Sequence, residues 1–342
     1  MKNSSRLNDE RPLVTFALFA YNQEQYIREA IEGAFSQTYE PLEIILSDDK
    51  SSDRTFEIMQ EMAEKYKGPH KVVIRQSEVN FGTALHVQAV ANLSKGKLIV
   101  IAAGDDISES DRCKEIVDLW LLKEKPIACI HSAITYFGES LEKSFIRSPR
   151  HESITDQDRS LRYLKNDEIP FFSATCAYSI ELFQNYKSFM GGSIIEDGIM
   201  SVRSLLVSQI LSINKPLVRQ RKVLESGGTG YKFSNPERWN RYIVSRIISS
   251  INQARDISQS NIDINLKHNL ENYYLHKAFK TSKFIISFSD KDTTFRKFVF
   301  FISYIFFFPT KIGFLKRLIS AIHLVNYNET KIYKSIYKFL KK

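Results

Sequence analysis

The chain has 342 residues, enough for one large domain and a further region, and its 43% hydrophobic and 25% charged content is ordinary for a globular protein. Its net charge of +9 is concentrated near the C-terminus: residues 281–342 contain twelve Lys or Arg and three Asp or Glu, whereas residues 1–280 contain 36 of each kind. A basic surface over the whole protein is therefore excluded, and nucleic acid is not an expected partner.

The N-terminus and the cysteines show no sign of secretion. Residues 1–11 are polar and of mixed charge without an apolar segment, which predicts a flexible N-terminus, no secretory signal and a cytoplasmic location. Cys113, Cys129 and Cys176 lie in or beside apolar segments, and their spacing fits neither a metal site nor a disulfide framework. We expect buried or free thiols.

Residues 12–121 alternate between apolar, β-prone runs and segments whose apolar residues recur at helical spacing. The predicted strands are PLVTFALFA, PLEIILSDD, KVVIRQ and KLIVIAAGDD. Three successive strand–helix units imply right-handed crossovers and a parallel sheet with helices on its faces. The sequence therefore predicts an α/β fold.

Beyond residue 121 the pattern is less regular. The strand-like PIACIHSAITYFG is followed by polar residues, 139–158, for which we expect an irregular loop. The apolar IPFFSATCAYSIELF predicts a buried strand that meets a helix, and another helix is predicted after a turn at Gly191-Gly192. A last strand and a glycine-rich loop precede a helical region that begins near Pro236.

Two pairs of adjacent aspartates, Asp48-Asp49 and Asp105-Asp106, each follow a predicted strand. Parallel sheets bind ligands in the crevice beyond the carboxyl ends of their strands. Each pair alone is also compatible with a turn or a helix N-terminus, but the repetition at matching positions favours a ligand site. One pair is suited to a base or ribose, and the other to Mg²⁺ or Mn²⁺ on phosphates. An enzyme acting on a nucleotide-activated substrate is predicted.

Together these segments resemble family 2 of the nucleotide-sugar glycosyltransferases. The stretch from PLVTFALFAYNQ to SDDKSSDRT is similar to the typical opening of that family, which runs through a Tyr-Asn turn and Ser-Gln-Thr-Tyr to Asp-Asp-x-Ser-x-Asp. The turn at Asn80-Phe81-Gly82 continues the match, as does KLIVIAAGDDIS, which looks like the family's Asp-x-Asp metal motif in a Gly-Asp-Asp form. The resemblance is good over residues 12–120 and looser over residues 170–232.

The resemblance implies a fold, a domain organisation and a reaction. Residues 12–232 would form a GT-A (Rossmann-like) domain with a mostly parallel sheet flanked by helices, and residues 233–342 a helical, basic, membrane-associating region. The implied reaction is the inverting, metal-dependent transfer of a sugar from a nucleotide diphosphate, with UDP as the expected nucleotide, to a hydroxyl of a lipid-linked or polysaccharide acceptor in bacterial surface-polysaccharide synthesis. The Gln-x-x-Arg-Trp motif of processive members is missing from the sequence, so we expect single transfers.

The resemblance also implies roles for individual residues. Those expected to bind the nucleotide are Phe19, Ala20, Tyr21, Asp48, Asp49, Asn80 and Asp105. Asp49 would accept a hydrogen bond from a ring N–H of the base, and Asp48 would brace the loop. Asp105 would contact the ribose or a metal-bound water, while Asp106 would ligate the Mg²⁺ or Mn²⁺ ion on the diphosphate.

A third acidic pair, Glu196-Asp197, precedes a predicted helix. Alone, such a pair is more typical of the first turn of a helix, where the helix dipole favours acidic residues. The pair stands at the Glu-Asp position of the family, which implies that Asp197, beside Glu196, is the general base for the acceptor hydroxyl.

Two alternative functions remain open. A sugar-phosphate nucleotidylyltransferase would need a glycine-rich, basic triphosphate loop after the first strand, and FAYNQEQY contains no glycine. A non-catalytic membrane-surface scaffold with the same fold would keep its cellular role after Asp106→Ala or Asp197→Asn.

The basic C-terminal region has two interpretations. Residues 298–308, FVFFISYIFFF, would form a helix ~16 Å long, against the ~30 Å needed to span a bilayer. The following KIGFLKRLISAIHLV has an apolar stripe with basic residues elsewhere, the pattern of a helix in the membrane interface. A helix packed on the catalytic domain is the alternative, but the positive surplus favours anionic lipid headgroups.

Overall fold

The structure is a computed structural model, and it describes residues 11–138, 141–149, 151–190, 196–222 and 236–288. The contacts of the chain divide it into two compact units. The described part of the first unit comes from residues 11–81, 86–187 and 203–222, and that of the second from residues 82–85, 188–202 and 236–288.

The helices and strands alternate along the first half of the chain. In chain order the described elements are β1 (Val14–Ala20), α1 (Ile27–Phe35), β2 (Leu42–Asp48), α2 (Thr55–Lys65), β3 (Lys71–Gln76), α3 (Thr83–Leu93), β4 (Leu98–Ala103), β5 (Ile107–Ser108), α4 (Arg112–Leu122), β6 (Cys129–Phe137), β7 (Phe145–Arg147), α5 (Gln157–Asn166), a 3-10 turn (Ser173–Thr175), β8 (Ala177–Ser179), α6 (Glu181–Gln184), α7 (Asp197–Leu206), β9 (Ile210–Arg221), α8 (Pro236–Ser258) and α9 (Ile264–Phe288).

The strands form one sheet in the order β3-β2-β1-β4-β8-β6-β9-β5, and β7 pairs with β6. The four strands predicted from the first third of the sequence are parallel neighbours. In the other half β8 is antiparallel to β4 and β6, while β6 and β9 are parallel. Most paired residues lie in parallel pairs, and the predicted α/β fold with a mostly parallel sheet is confirmed.

The parallel part of the sheet is held by apolar side chains on its faces. Phe16 of β1 and Leu46 of β2 are fully buried, in one cluster with Ile27 and Ile31 of α1 and Ile116 of α4. Burying a side chain of this size contributes about 1.5–3 kcal/mol. The helical spacing of these residues in the sequence is therefore the spacing of the packed face. The three cysteines are buried and free, as expected.

One predicted loop contains regular structure. Residues 139–158 were expected to be irregular, but Phe145–Arg147 form β7 against β6, and Ile154 makes an isolated bridge to Ile210. All three residues of β7 are exposed. A three-residue exposed strand has no apolar alternation to mark it, and its stability comes from backbone pairing with a long neighbour.

The second unit contains two long helices, α8 and α9, which confirm a helical region from Pro236 onward. Met190 packs against Ile247 and Ile251 of α8 and Ala278 of α9 in its apolar core. Within the part of the chain that the structure describes, no helix combines the length and the apolar character needed to cross a bilayer.

Several predicted features lie outside the described residues. They are the N-terminal segment 1–10, the turn at Gly191-Gly192, the glycine-rich loop within 223–235 and the apolar and amphipathic segments within 298–325.

Gly96→Ala should destabilise the protein by about 3 kcal/mol. A Cβ at this position would lie within 2.8 Å of three backbone atoms, Thr15 N, Val14 C and Leu98 O, which belong to adjacent strands of the sheet. Urea unfolding measures the loss. The exposed neighbour in the same connection gives the control, Lys97→Ala, which should change stability by less than about 0.5 kcal/mol. Equal stability of the two variants would contradict this close approach.

Candidate active site

The carboxyl ends of three neighbouring strands bring the first two acidic pairs to one edge of the sheet. Ala20, at the end of β1, is paired with Asp48 of β2, and Phe19 is paired with Ala103 of β4. Asp48-Asp49 and Asp105-Asp106 therefore flank the end of β1, two strand spacings or about 10 Å apart. The first turn, expected to hold the nucleotide base, lies between them.

Asp48 and Asp49 have different surroundings although both are buried. The Asp48 carboxylate accepts hydrogen bonds from Ser51 N (2.9 Å), Ser51 Oγ and Gln76 Nε2 (2.9 Å). Asp49 donates its N–H to Ala20 O (2.9 Å), and its Oδ1 accepts from Phe81 N (3.0 Å). Asp48 thus braces its own loop, whereas Asp49 connects the first turn to the loop after β3.

The residues expected around the nucleotide lie in the loops next to Asp49. The side chain of Tyr21 is 48% exposed, and Asn80 is exposed beside Phe81. Phe19 is half-buried and meets the ring of His86 edge to face, with 5.0 Å between ring centroids. Ala20 is buried, and its carbonyl accepts the hydrogen bond from Asp49 N. These two loops therefore offer both exposed aromatic surface and backbone polar groups beside the Asp49 carboxylate.

A buried polar cluster supports β2 just before Asp48 and was not found from the sequence. Ser47 Oγ accepts a hydrogen bond from Arg75 Nη1 (2.6 Å) and lies 2.5 Å from His86 Nε2. Desolvation lowers the pKa of His86 to about 4, so its ring is neutral and shares one hydrogen bond with the Ser47 hydroxyl. The sequence suggested an ordinary helix residue because the apolar neighbours of His86 gave no sign of this partner.

The second acidic pair follows β4 directly and is held by a distant strand. Asp106 is 6% exposed, and its Oδ1 accepts a hydrogen bond from Arg221 N (3.0 Å) at the end of β9. Asp105 is half-buried and interacts with the side chain of Gln23. The absence of a side chain at Gly104 leaves room for Gln23 beside Asp105, because a Cβ at Gly104 would lie 2.5 Å from Gln23 Oε1.

The two carboxyl groups of this pair are difficult to ionise together. Burial raises the pKa of Asp105, and burial together with the Asp105 charge raises the pKa of Asp106 to about 7. A divalent cation would relieve both effects, so the pair fits one. In the described part of the chain no three acidic, histidine or cysteine residues gather as metal ligands. Asp105 and Asp106 would then share a cation with other oxygen donors, as Mg²⁺ and Mn²⁺ sites on phosphates do.

Two arginines near this pair were not predicted as site residues. The Arg221 guanidinium lies over the rings of Tyr26 (4.8 Å) and Phe137 (4.6 Å) and donates to Glu29 Oε2 (3.0 Å). Arg112 is fully buried and donates to Ser108 Oγ (2.9 Å) and to the carbonyl of Ile101 (2.8 Å).

Both arginines favour the ionised form of the pair, since Arg221 lowers the pKa of Asp105 and Arg112 lowers that of Asp106. The arginines lower these pKa values by less than burial raises them. In sequence, Arg219 and Arg221 fitted closure over the diphosphate and a simple basic strand equally well, and Arg112, at the start of a predicted helix, gave no signal.

Glu196 and Asp197 belong to the second unit, and the structure does not bring them together with the other two pairs within one unit. Asp197 begins α7, and its Oδ1 accepts a hydrogen bond from Gly198 N (2.8 Å). Burial and the charge of Asp197 raise the pKa of Glu196 to about 8, so Glu196 is mostly protonated at neutral pH.

Comparison with known proteins identifies the family to which the chain is similar. The family model described as glycosyl transferase family 2 matches residues 15–186. An uncharacterized protein of Mycobacterium bovis is 38% identical over 88 residues, which is 25% of each chain. Chondroitin synthase of Pasteurella multocida is 32% identical over 121 residues, 35% of this chain and 12% of that protein. These sequence matches therefore span a quarter or less of the relatives' length.

A likeness of fold extends further than the sequence matches. The structure of S. aureus TarS 1–349 in complex with UDP-GlcNAc superposes with a TM-score of 0.60 at 16% identity, covering 91% of this chain and 83% of that one. At this identity the likeness concerns the fold alone.

In metal-free buffer, Asp106→Asn should raise the melting temperature at pH 8 and by a clearly smaller amount at pH 5. Because the pKa of Asp106 is raised from 3.8 to about 7 in the folded protein, its ionisation lowers stability progressively as pH rises between these values. The amide has the same shape, carries no charge and keeps an oxygen for the Arg221 N–H. Thermal unfolding with EDTA at both pH values measures the difference.

The exposed Asp118, paired with Lys114, provides the control for this experiment. Asp118→Asn should show no gain at pH 8. Equal pH profiles for Asp106→Asn and the parent protein would show that the pKa of Asp106 is not raised.

Proposed function

The chain belongs to glycosyl transferase family 2 and is a glycosyltransferase, and we propose that it transfers one sugar at a time from a nucleotide-diphosphate sugar to a hydroxyl group, with inversion at the anomeric carbon. The observation that carries the proposal is that Asp49 and Asp105-Asp106 lie at the same edge of the sheet, on either side of the end of β1. One carboxylate can then hold the base while a charged pair about two strands away holds the diphosphate end.

A UDP-sugar is the proposed donor. Asp49 offers a buried carboxylate, and a uracil ring N–H is a suitable donor for it. Phe19, Ala20, Tyr21 and Asn80 lie in β1 and the adjoining loops and would frame the base. A UDP-GlcNAc complex of a protein with the same fold supports this choice.

Asp106 is the proposed metal ligand, with Asp105 on the ribose or on a metal-bound water. Mg²⁺ or Mn²⁺, when bound, supplies positive charge to the departing diphosphate as a Lewis acid. Arg221 keeps the Asp106 carboxylate oriented through its backbone N–H. The buried, mutually repelling carboxyl groups support this assignment, because they gain most from a cation.

Asp197 is the proposed general base for the acceptor hydroxyl. Glu196, with its pKa raised to about 8, already carries a proton at neutral pH and is poorly suited to take another. Asp197 is the other carboxyl of the pair, and its hydrogen bond from Gly198 N fixes one oxygen. A single base without a covalent intermediate leads to inversion at the anomeric carbon.

A lipid-linked or polysaccharide acceptor at the inner face of the cytoplasmic membrane completes the proposal. The surplus of positive charge in residues 281–342 favours an anionic membrane surface. A relative named chondroitin synthase supports a polysaccharide acceptor in particular, since chondroitin is itself a polysaccharide.

Nucleotide release from a panel of UDP-, GDP- and dTDP-sugars should be fastest with one UDP-sugar and should require Mg²⁺ or Mn²⁺. Asp106→Ala should lower the rate by at least about 100-fold, because the diphosphate charge is no longer neutralised. Asp118→Ala serves as the exposed acidic control. Release that neither EDTA nor Asp106→Ala reduces would remove the metal role.

Asp197→Asn should lower kcat for sugar transfer by about 10³-fold while the dissociation constant of UDP stays the same. The matched variant is Glu196→Gln, which should keep at least about a tenth of the activity, because glutamine resembles the protonated acid. Steady-state kinetics at pH 7 with the donor found above provides the measurement. A larger loss in Glu196→Gln than in Asp197→Asn would reverse the assignment of the base.

A further inference from the structure

Two adjacent amide side chains in α8 are buried in the second unit. Asn252 is fully buried, and Gln253 is 4% exposed. Nearby positions of α8 include buried apolar residues, such as Ile248 and Ile251, and buried serines, Ser249 and Ser250. A buried amide is costly unless it is hydrogen-bonded, so the partners of these two residues indicate what they do.

Both amides bind backbone atoms near the proposed general base. Asn252 Oδ1 accepts a hydrogen bond from Met190 N (3.0 Å), and Gln253 Nε2 donates one to Gly198 O (2.8 Å). These atoms lie on either side of the stretch that contains Glu196 and Asp197. Neighbouring residues of a single helix therefore bind the backbone at Met190 and at Gly198.

The Asn252 contact is itself held from within α8. Its Nδ2 donates to Ile248 O (2.9 Å), and its Oδ1 accepts a second hydrogen bond from Arg255 Nη2 (2.9 Å). The amide orientation is thereby determined, and Oδ1 faces Met190 N. Nearby, the Met190 side chain packs against Ile247 and Ile251, so this end of the stretch is anchored by packing and by a hydrogen bond.

The other end depends more on its hydrogen bond. Gly198 has no side chain to pack, and glycine has the largest conformational freedom of any residue. Its N–H donates to Asp197 Oδ1 (2.8 Å), and its carbonyl accepts from Gln253. A contact that holds the backbone of Gly198 in place therefore also holds one oxygen of the Asp197 carboxylate.

We propose that Gln253, supported by Asn252, is a positioning residue that orients Asp197 through Gly198. The inference rests on the proposed role of Asp197 as general base. A carboxylate held within about 0.5 Å of its productive position transfers protons efficiently, and loosening its support lowers the rate of the chemical step rather than donor binding.

The test uses the full chain with Gln253→Met, which keeps the length of the side chain but removes the donor. We expect kcat for sugar transfer to fall about 10-fold to 30-fold, with the donor KM changed less than about twofold. Gln259→Leu, at an exposed glutamine just after α8, is the matched control and should match the parent protein. Circular dichroism and the melting temperature report the folded fraction.

A double-mutant cycle separates positioning from a merely structural role. In the Asp197→Asn background, Gln253→Met should change the residual rate less than about twofold, because there is no base left to orient. The same fold-loss in both backgrounds, or a loss explained by less folded protein, would overturn the inference. Full activity of Asp197→Asn alone would instead overturn the proposed base.

A second pair of variants decides the matter if Gln253→Met does not fold. Asn252→Asp loses the donor to Ile248 O but keeps an oxygen for Met190 N and a partner for Arg255, whereas Asn252→Leu loses all three contacts. We expect kcat of Asn252→Asp within about threefold of the parent and at least about 10-fold above that of Asn252→Leu, at similar donor KM. Equal kcat values for the two would overturn the inference.

Discussion

The site depends on the fact that three parallel strands end at the same level. Because β1 pairs in parallel with β2 and β4, Asp49 and Asp105-Asp106 lie at the same edge of the sheet. Because that edge is partly buried, the carboxyl groups of Asp105 and Asp106 lose hydration and repel each other. A divalent cation bound between them, as proposed above, would relieve both effects.

The parts of the chain that stabilise the site are remote from it in sequence. Arg221 donates its N–H to Asp106 across 115 residues, and Arg112 binds the Ile101 carbonyl of β4 and the Ala174 carbonyl of the 3-10 turn, which is 62 residues away in the sequence. Within the second unit, Gln253 lies 55 residues from Gly198. The early strands place Asp49, Asp105 and Asp106 at one edge of the sheet, while β9 supplies a hydrogen bond to Asp106.

Much of the parallel half was predictable because each element has a local signal. Apolar runs mark β1 to β4, helical spacing marks the helices between them, and adjacent aspartates mark the strand ends. The mixed half was less accessible, since β7 is short and exposed and is recognisable only through its pairing with β6. The contacts of Arg221 with Asp106 and of Gln253 with Gly198 could not be predicted, because these partners are 115 and 55 residues apart in the sequence. The roles of Asp49, Asp106 and Asp197 stay predictions.

The hydrogen bond from β9 to Asp106 comes from the main chain of residue 221 and not from its side chain. Every amino acid except proline supplies that N–H. Replacing the guanidinium would remove its contacts with Asp105 O (3.3 Å), Glu29 and the aromatic rings, but the hydrogen bond to the Asp106 carboxylate would remain. Divergent homologues should tolerate variety at this position but exclude the imino acid.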